Sequence, residues 1–104
     1  MPGVDFRRLH TEITMEQVLD LLGFEPVYRN GDQWYGCCPL HKCNSRRSRA
    51  FSVNVAIRRY CCHRCHSRGN HLELWAAATQ LSLHQAAIDL CRALDREIPW
   101  IRHW

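Results

Sequence analysis

Between Gln33 and Leu72 the sequence contains no carboxylate. All ten acidic residues lie at or before Asp32 or at or after Glu73. A site built on paired carboxylates, whether for acid–base work or for holding two magnesium ions, cannot come from this span. Asp89, Asp95 and Glu97 belong to a helix end and its tail, where solvation is their ordinary role. Long apolar runs are missing too: nothing approaches the roughly 20 residues that cross a bilayer. Residues 1–10 are polar, carry Arg7 and Arg8 and have no apolar stretch behind them, so a secretory signal is not expected. No repeat, low-complexity segment or second domain is visible. The expectation is one domain over residues 1–104, with its core at about 13–95. A chain this short buries little apolar surface, so a metal or a disulfide is expected to staple it.

The acid-free span is rich in the opposite charge. It holds eight of the fourteen basic residues, Lys42, Arg46, Arg47, Arg49, Arg58, Arg59, Arg64 and Arg68, within a net charge of only +4. A charge run is ordinarily a solvated face. Seven of these eight are arginine, whose planar fork suits phosphates and base edges, and that favours a nucleic acid as the polyanion. Cysteine is also plentiful, at seven residues. In a reducing cytosol these serve as metal ligands or small buried groups rather than as disulfides.

Local signals outline the elements. Thr14, with Gln17 three residues on, caps a helix over about 15–22, whose apolar face is Val18, Leu19, Leu21 and Leu22 and whose stop is Gly23. Asn30-Gly31 between two strand-like runs reads as a hairpin turn. Residues 37–50 read as a loop, and Phe51 to Ile57 alternates as a half-buried strand does, with a turn near 54–58 returning the chain along Arg59 to Cys62. Asn70 caps a helix to about Thr79, with Leu72, Leu74, Trp75 and Ala78 on its face. Ser82 with Gln85 opens a last helix to about Leu94, with Leu83, Ala87, Leu90, Cys91 and Leu94 inward.

Two ligand pairs stand 20 residues apart. Cys38-Pro39-Leu40-His41 is a C-x2-H pair and Cys62-His63-Arg64-Cys65 a C-x2-C pair. Two-residue spacing lets both members reach one ion from a tight turn, and two such knuckles complete a tetrahedron. Three thiolates and an imidazole leave no open coordination position, which marks a structural zinc and not a catalytic one. Cys37 and Cys61 sit beside Cys38 and Cys62 and would make wider knuckles; neighbouring strand residues face opposite ways, so one of each doublet meets the ion. Cys37, Cys61 and Cys91 otherwise read as small buried groups. Cys43 reads as a neighbour of the site. His63 and His66 flank Cys65 as weaker alternatives.

Gly36-Cys37-Cys38-Pro39-Leu40-His41, Phe51-Ser52-Val53-Asn54, Tyr60-Cys61-Cys62-His63-Arg64-Cys65 and Gly69-Asn70, in that order, resemble the CHC2 zinc-binding domain of bacterial DnaG-type DNA primases. The likeness runs over about residues 13–95. It implies a small α+β zinc ribbon: an antiparallel sheet with N-terminal and C-terminal helices around one structural zinc per chain. It implies Cys38, the second cysteine of its doublet, as ligand. The chain departs from the family in a longer loop before Phe51, in Arg64 where glycine is common and in Val55 where a turn glycine is common.

The resemblance also implies contact with single-stranded template and a part in choosing where primers start. Arg46, Arg47 and Arg49 are then mobile phosphate clamps, and Arg58, Arg59, Arg64 and Arg68 lie on or beside the sheet and knuckle. Trp34 and Tyr60 are either stacking platforms or core residues. Phe51 and Trp75 are assigned to the core. Primer synthesis itself would need a catalytic domain or partner that this sequence does not contain. The alternatives are a stand-alone DNA-binding accessory or regulator, for example of a mobile element, and a zinc-stabilised module for an acidic protein. The expected setting is the cytoplasm of a bacterium or a mobile element's host, with DNA and another replication protein as partners, and no membrane or small-molecule substrate.

Overall fold

Two reciprocal capping boxes set the helical frame. Thr14 Oγ1 accepts from the Gln17 N–H while Gln17 Oε1 accepts from the Thr14 N–H, which opens α2 (Met15–Leu21). Asn70 and Glu73 exchange the same pair of bonds to open α3 (His71–Thr79). Ser82 accepts from the Gln85 N–H and opens α4 (Leu83–Ala93). The computed structural model describes residues 3–40 and 49–101. The helices expected from the caps are all present, and the architecture is α+β with four helices and antiparallel sheets.

Two helical faces differ in detail from the expectation. Leu21 and Leu83 are 39% and 41% exposed. Each lies at a helix end, where the apolar stripe has turned away from the packed neighbour. A helix not expected from the sequence precedes them, α1 (Phe6–Glu12), capped by Asp5 accepting from the Arg8 N–H. Phe6, Leu9 and Ile13 lie three and four residues apart, and Leu9 and Ile13 are fully buried. Strands β1 (Gly3–Val4) and β7 (Trp100–Ile101) pair antiparallel beside it.

The main sheet has the order β2 (Pro26–Asn30), β3 (Gln33–Gly36), β4 (Phe51–Asn54), β5 (Arg59–Cys62), β6 (Arg68–Asn70), every neighbour antiparallel. The first hairpin turns one residue later than expected: Asn30 pairs with Gln33, so Gly31 and Asp32 form the loop, with Gly31 at φ +61°. The strand from Phe51 ends at Asn54, short of Ile57, because Asn54 Oδ1 accepts the N–H groups of both Ala56 and Ile57 and folds the chain back.

Register divides the sheet into two faces. Trp34, Val53, Tyr60 and, one row along, Gly36, Phe51 and Cys62 look inward. Phe51, Val53 and Cys62 are fully buried with Leu74 of α3, Leu90 of α4 and Val18 of α2. Phe51 and Trp75 are thus core residues, as expected. At Gly36 the backbone must stay bare, since a Cβ there would meet the Phe24 ring at 2.9 Å. That ring instead packs edge-on against Phe51, with centroids 5.2 Å apart.

Candidate metal centre and nucleic-acid face

The inward row of the sheet carries the candidate ligands. Cys62 ends β5 on the same face as Tyr60, and Cys38 follows the end of β3, the second strand over. After Cys62 the chain makes a tight turn that brings Cys65 back: the Cys65 N–H points at Cys62 Sγ, 3.4 Å away, and the His66 N–H bonds the Cys62 carbonyl at 2.9 Å. The outcome is a triad, Cys38, Cys62 and Cys65, whose sulfurs all lie within 4.8 Å of one another. A tetrahedral zinc with Zn–S near 2.3 Å holds its sulfurs about 3.8 Å apart, so the triad fits that ion with little adjustment.

The triad's own surroundings disfavour the thiolate form of Cys38. Burial pushes the Cys38 thiol up to about 12; Cys62 and Cys65 push it the same way, against a hydrogen bond from the Leu40 backbone that favours the thiolate. Cys38 and Cys62 are buried while Cys65 is exposed, so an ion could be reached from the Cys65 side. The fourth expected ligand, His41, lies outside the described residues. Among the described residues no histidine joins the triad, and His63 and His66 are exposed on the knuckle.

The cysteines beside the triad have separate surroundings. Cys61 points to the outer face of β5, opposite Cys62, and carries a free thiol. Cys91 is buried in the core, where burial raises its pKa. Cys37 departs from the small apolar role expected of it: it is half-buried and disulfide-bonded.

The outer face of the sheet is polar, aromatic and basic. Tyr28, Tyr35, Ser52, Cys61 and Arg68 form one row across all five strands, and Asn30, Gln33, Asn54, Arg59 and Asn70 the next. Neither row contains a carboxylate. The Tyr28 and Tyr35 rings lie 5.7 Å apart, and the Arg49 guanidinium sits 4.6 Å over the Tyr28 ring. Arg59, Arg68 and Arg49 are exposed on this side, and exposed Arg64 caps the knuckle. Arg46 and Arg47 lie outside the described residues.

Three residues expected to contact nucleic acid face elsewhere. Tyr60 belongs to the core: it is 5% exposed, stacks on Phe51 at 5.8 Å and hydrogen-bonds Ser67 at 2.7 Å. Its place follows from register, which sets it beside Val53 on the Phe51 side of the sheet. Trp34 shares that side, half-buried, with the Arg29 guanidinium 4.3 Å over its ring. Arg58, at φ +56°, turns back toward α1 and donates to the Thr11 carbonyl at 3.5 Å, while its Nε is buried without a partner. The outer-face aromatics that the sequence reading missed are Tyr28, exposed, and Tyr35, half-buried, which share that face once β2 and β3 are phased by the core position of Phe51.

Comparison with known proteins points to the same region. A family model described as the CHC2 zinc finger matches residues 5–103. A DNA primase of Treponema pallidum (strain Nichols) is 30% identical over 82 residues, which make up 78% of this chain and 13% of that protein. The crystal structure of Aquifex aeolicus primase, comprising its zinc-binding and RNA polymerase domains, superposes with a TM-score of 0.66 at 18% identity over 92% of this chain and 23% of that one. That last likeness is one of fold. The chain therefore spans a small fraction of the length of either relative.

Proposed function

The chain belongs to the CHC2 zinc-finger family, and on that premise we propose that it is a zinc-clipped domain that binds single-stranded DNA template through the outer face of its sheet in support of primer synthesis. The observation that carries the reading is the coincidence of two features in one short segment. The sulfur triad gathers the ends of β3 and β5 on the inner face, while Tyr35 and Arg59 project from those same strands, and Arg68 from neighbouring β6, on the outer one.

Cys38, Cys62 and Cys65, with His41, would hold one zinc per chain. When bound, zinc supplies cross-linking and charge neutralisation for three thiolates, with no open position for a reaction. The protein's own groups do the rest. Arg49, Arg59, Arg64 and Arg68 neutralise phosphates, and Tyr28 and Tyr35 offer base-stacking surfaces worth about 1–3 kcal/mol each. The chain acts as one domain in this reading; the burial of Val4 and Leu9 ties its first residues to the core near 13–95. Catalysis of nucleotide joining is assigned to a separate catalytic domain or protein partner.

Titrating zinc-loaded protein with matched single- and double-stranded oligonucleotides tests this. Single strands are expected to bind more tightly, and Tyr28→Ala with Tyr35→Ala to weaken that binding about 30-fold or more. Equal affinity for both forms, or none for either, would overturn the reading and leave an acidic protein as the partner of the basic face.

A further inference from the structure

The outer rows hold a depression that no large side chain fills. Across the first row, Ser52 and Cys61 stand between Tyr35 on one side and Arg68 on the other, two small residues between two large ones. The hollow above them, about 330 Å³, is bounded by Gln33, Asn54, Arg59 and Arg68, with Ile57, 61% exposed, at its rim. That volume matches one nucleobase with part of its sugar.

Its hydrogen-bonding character is lopsided. Asn54 Oδ1 is engaged by the N–H groups of Ala56 and Ile57, so only its NH2 faces outward as a donor. Ser52 Oγ donates to the Cys61 carbonyl, which leaves little for a ligand. Among the described residues the side chains of Arg59, Arg68 and Gln33 make no hydrogen bond or ion pair. The hollow thus offers two guanidiniums and an amide NH2 as donors, one ambivalent amide at Gln33 and no carboxylate. A ligand that fits must be rich in acceptors and carry a single N–H edge.

We propose that this hollow reads one base of the bound strand and selects keto bases over amino bases: guanine, through O6 and N7, and thymine or uracil, through O4. Adenine and cytosine turn an exocyclic NH2 toward the same donors and leave Arg59 or Arg68 facing a donor, while the remaining N–H groups of each guanidinium stay turned to the flanking phosphates. Gln33 Oε1 accepts the ring N–H that both keto bases carry beside their carbonyl. Tyr35 neighbours Ser52 in the row, just outside the residues that line the hollow. The inference rests on the strand-binding reading and adds to it which bases the face prefers and which side chains choose them.

The test is fluorescence anisotropy on the zinc-loaded full chain with four short oligo(dC) strands that differ in one central base. Strands with a central guanine or thymine are expected to bind about fivefold or more tightly than those with adenine or cytosine. Gln33→Leu and Arg68→Gln, each checked for retained zinc and helical circular dichroism, are expected to reduce that preference below about twofold. Equal, salt-dependent binding of all four strands would overturn base reading and leave strand binding intact. No binding of any strand would overturn both. A preference that survives both substitutions, or one for adenine or cytosine, would overturn the assignment of these residues.

Discussion

Cys61 and Cys62 are adjacent in the chain and live on opposite faces of β5, one thiol beside Arg68 and the other in the sulfur triad. That separation predicts how single substitutions will act. Cys62→Ser or Cys38→Ser should abolish zinc binding in a colorimetric metal assay and unfold the chain, because structural zinc contributes on the order of 10 kcal/mol to a domain of this size. Cys61→Ser should keep its zinc. The two-residue spacing made the triad legible from sequence, since a knuckle is a local structure. The faces of Tyr60 and Tyr28 were not legible, because a strand's phase is fixed only by the neighbours it pairs with. A second residue-scale prediction concerns His71, which is fully buried with neither ring nitrogen hydrogen-bonded. Burial pulls its pKa from 6.5 to about 4; the charges of His10 on α1 and Arg58 on the β4–β5 turn act the same way, and the nearby Leu9 and Ile13 carbonyls offset them in part. The folded state therefore prefers neutral His71. Its contribution is complete above pH 6.5 and is lost as pH falls toward about 4. At pH 5.5 the loss is about 1.4 kcal/mol, or about 6 °C in Tm. His71→Leu should remove that increment while leaving the acid loss of zinc unchanged, so Tm measured against pH in the two proteins isolates it.

Elements that begin with a local signal were readable, and those made by pairing were not. Thr14, Asn70 and Ser82 announced α2, α3 and α4 because a cap is satisfied within four residues of chain. The stripe of Phe6, Leu9 and Ile13 carried the same kind of signal for α1, which went unread because Arg7 and Arg8 make the segment look polar. In contrast β6 has three residues and β1 and β7 two each, too few for any periodicity, and they exist only because a partner strand is in place. The joint between β6 and α3 should be sensitive to one side chain. Asn70→Ala removes the acceptor for the Glu73 N–H and the reciprocal bond loses its geometry, a change worth about 1 kcal/mol. Gly36→Ala should be worse. Its Cβ would fall 2.9 Å from the Phe24 ring and 3.2 Å from the Glu25 carbonyl, and the second of these is backbone that cannot swing aside. About 1–3 kcal/mol is expected, read as a lowered midpoint in urea with the zinc stoichiometry unchanged.

At the scale of the molecule the partition of charge governs behaviour. A net charge of +4 suggests weak attraction to DNA, yet the acids flank the acid-free middle segment, and the sheet face built from it meets a polyanion without internal compensation. Glu12 illustrates the flank: its carboxylate is shared by Arg96 and Arg8, whose hydrogen bonds hold it below the usual carboxylate range, so those arginines are occupied. Arg49, Arg59, Arg64 and Arg68 have no such carboxylate partner among the described residues. If all four neutralise phosphates of a single strand, log K against log salt should fall with a slope of about −3. Replacing Arg59 and Arg68 together with glutamine should bring the slope to about −1.5, whereas replacing Arg8 and Arg96 should leave it near −3. The second result matters most, since it separates a surface that binds through its local field from a molecule that binds through its net charge. A slope that tracks the number of arginines removed, regardless of their place in the fold, would mean that the sheet face has no special part in binding.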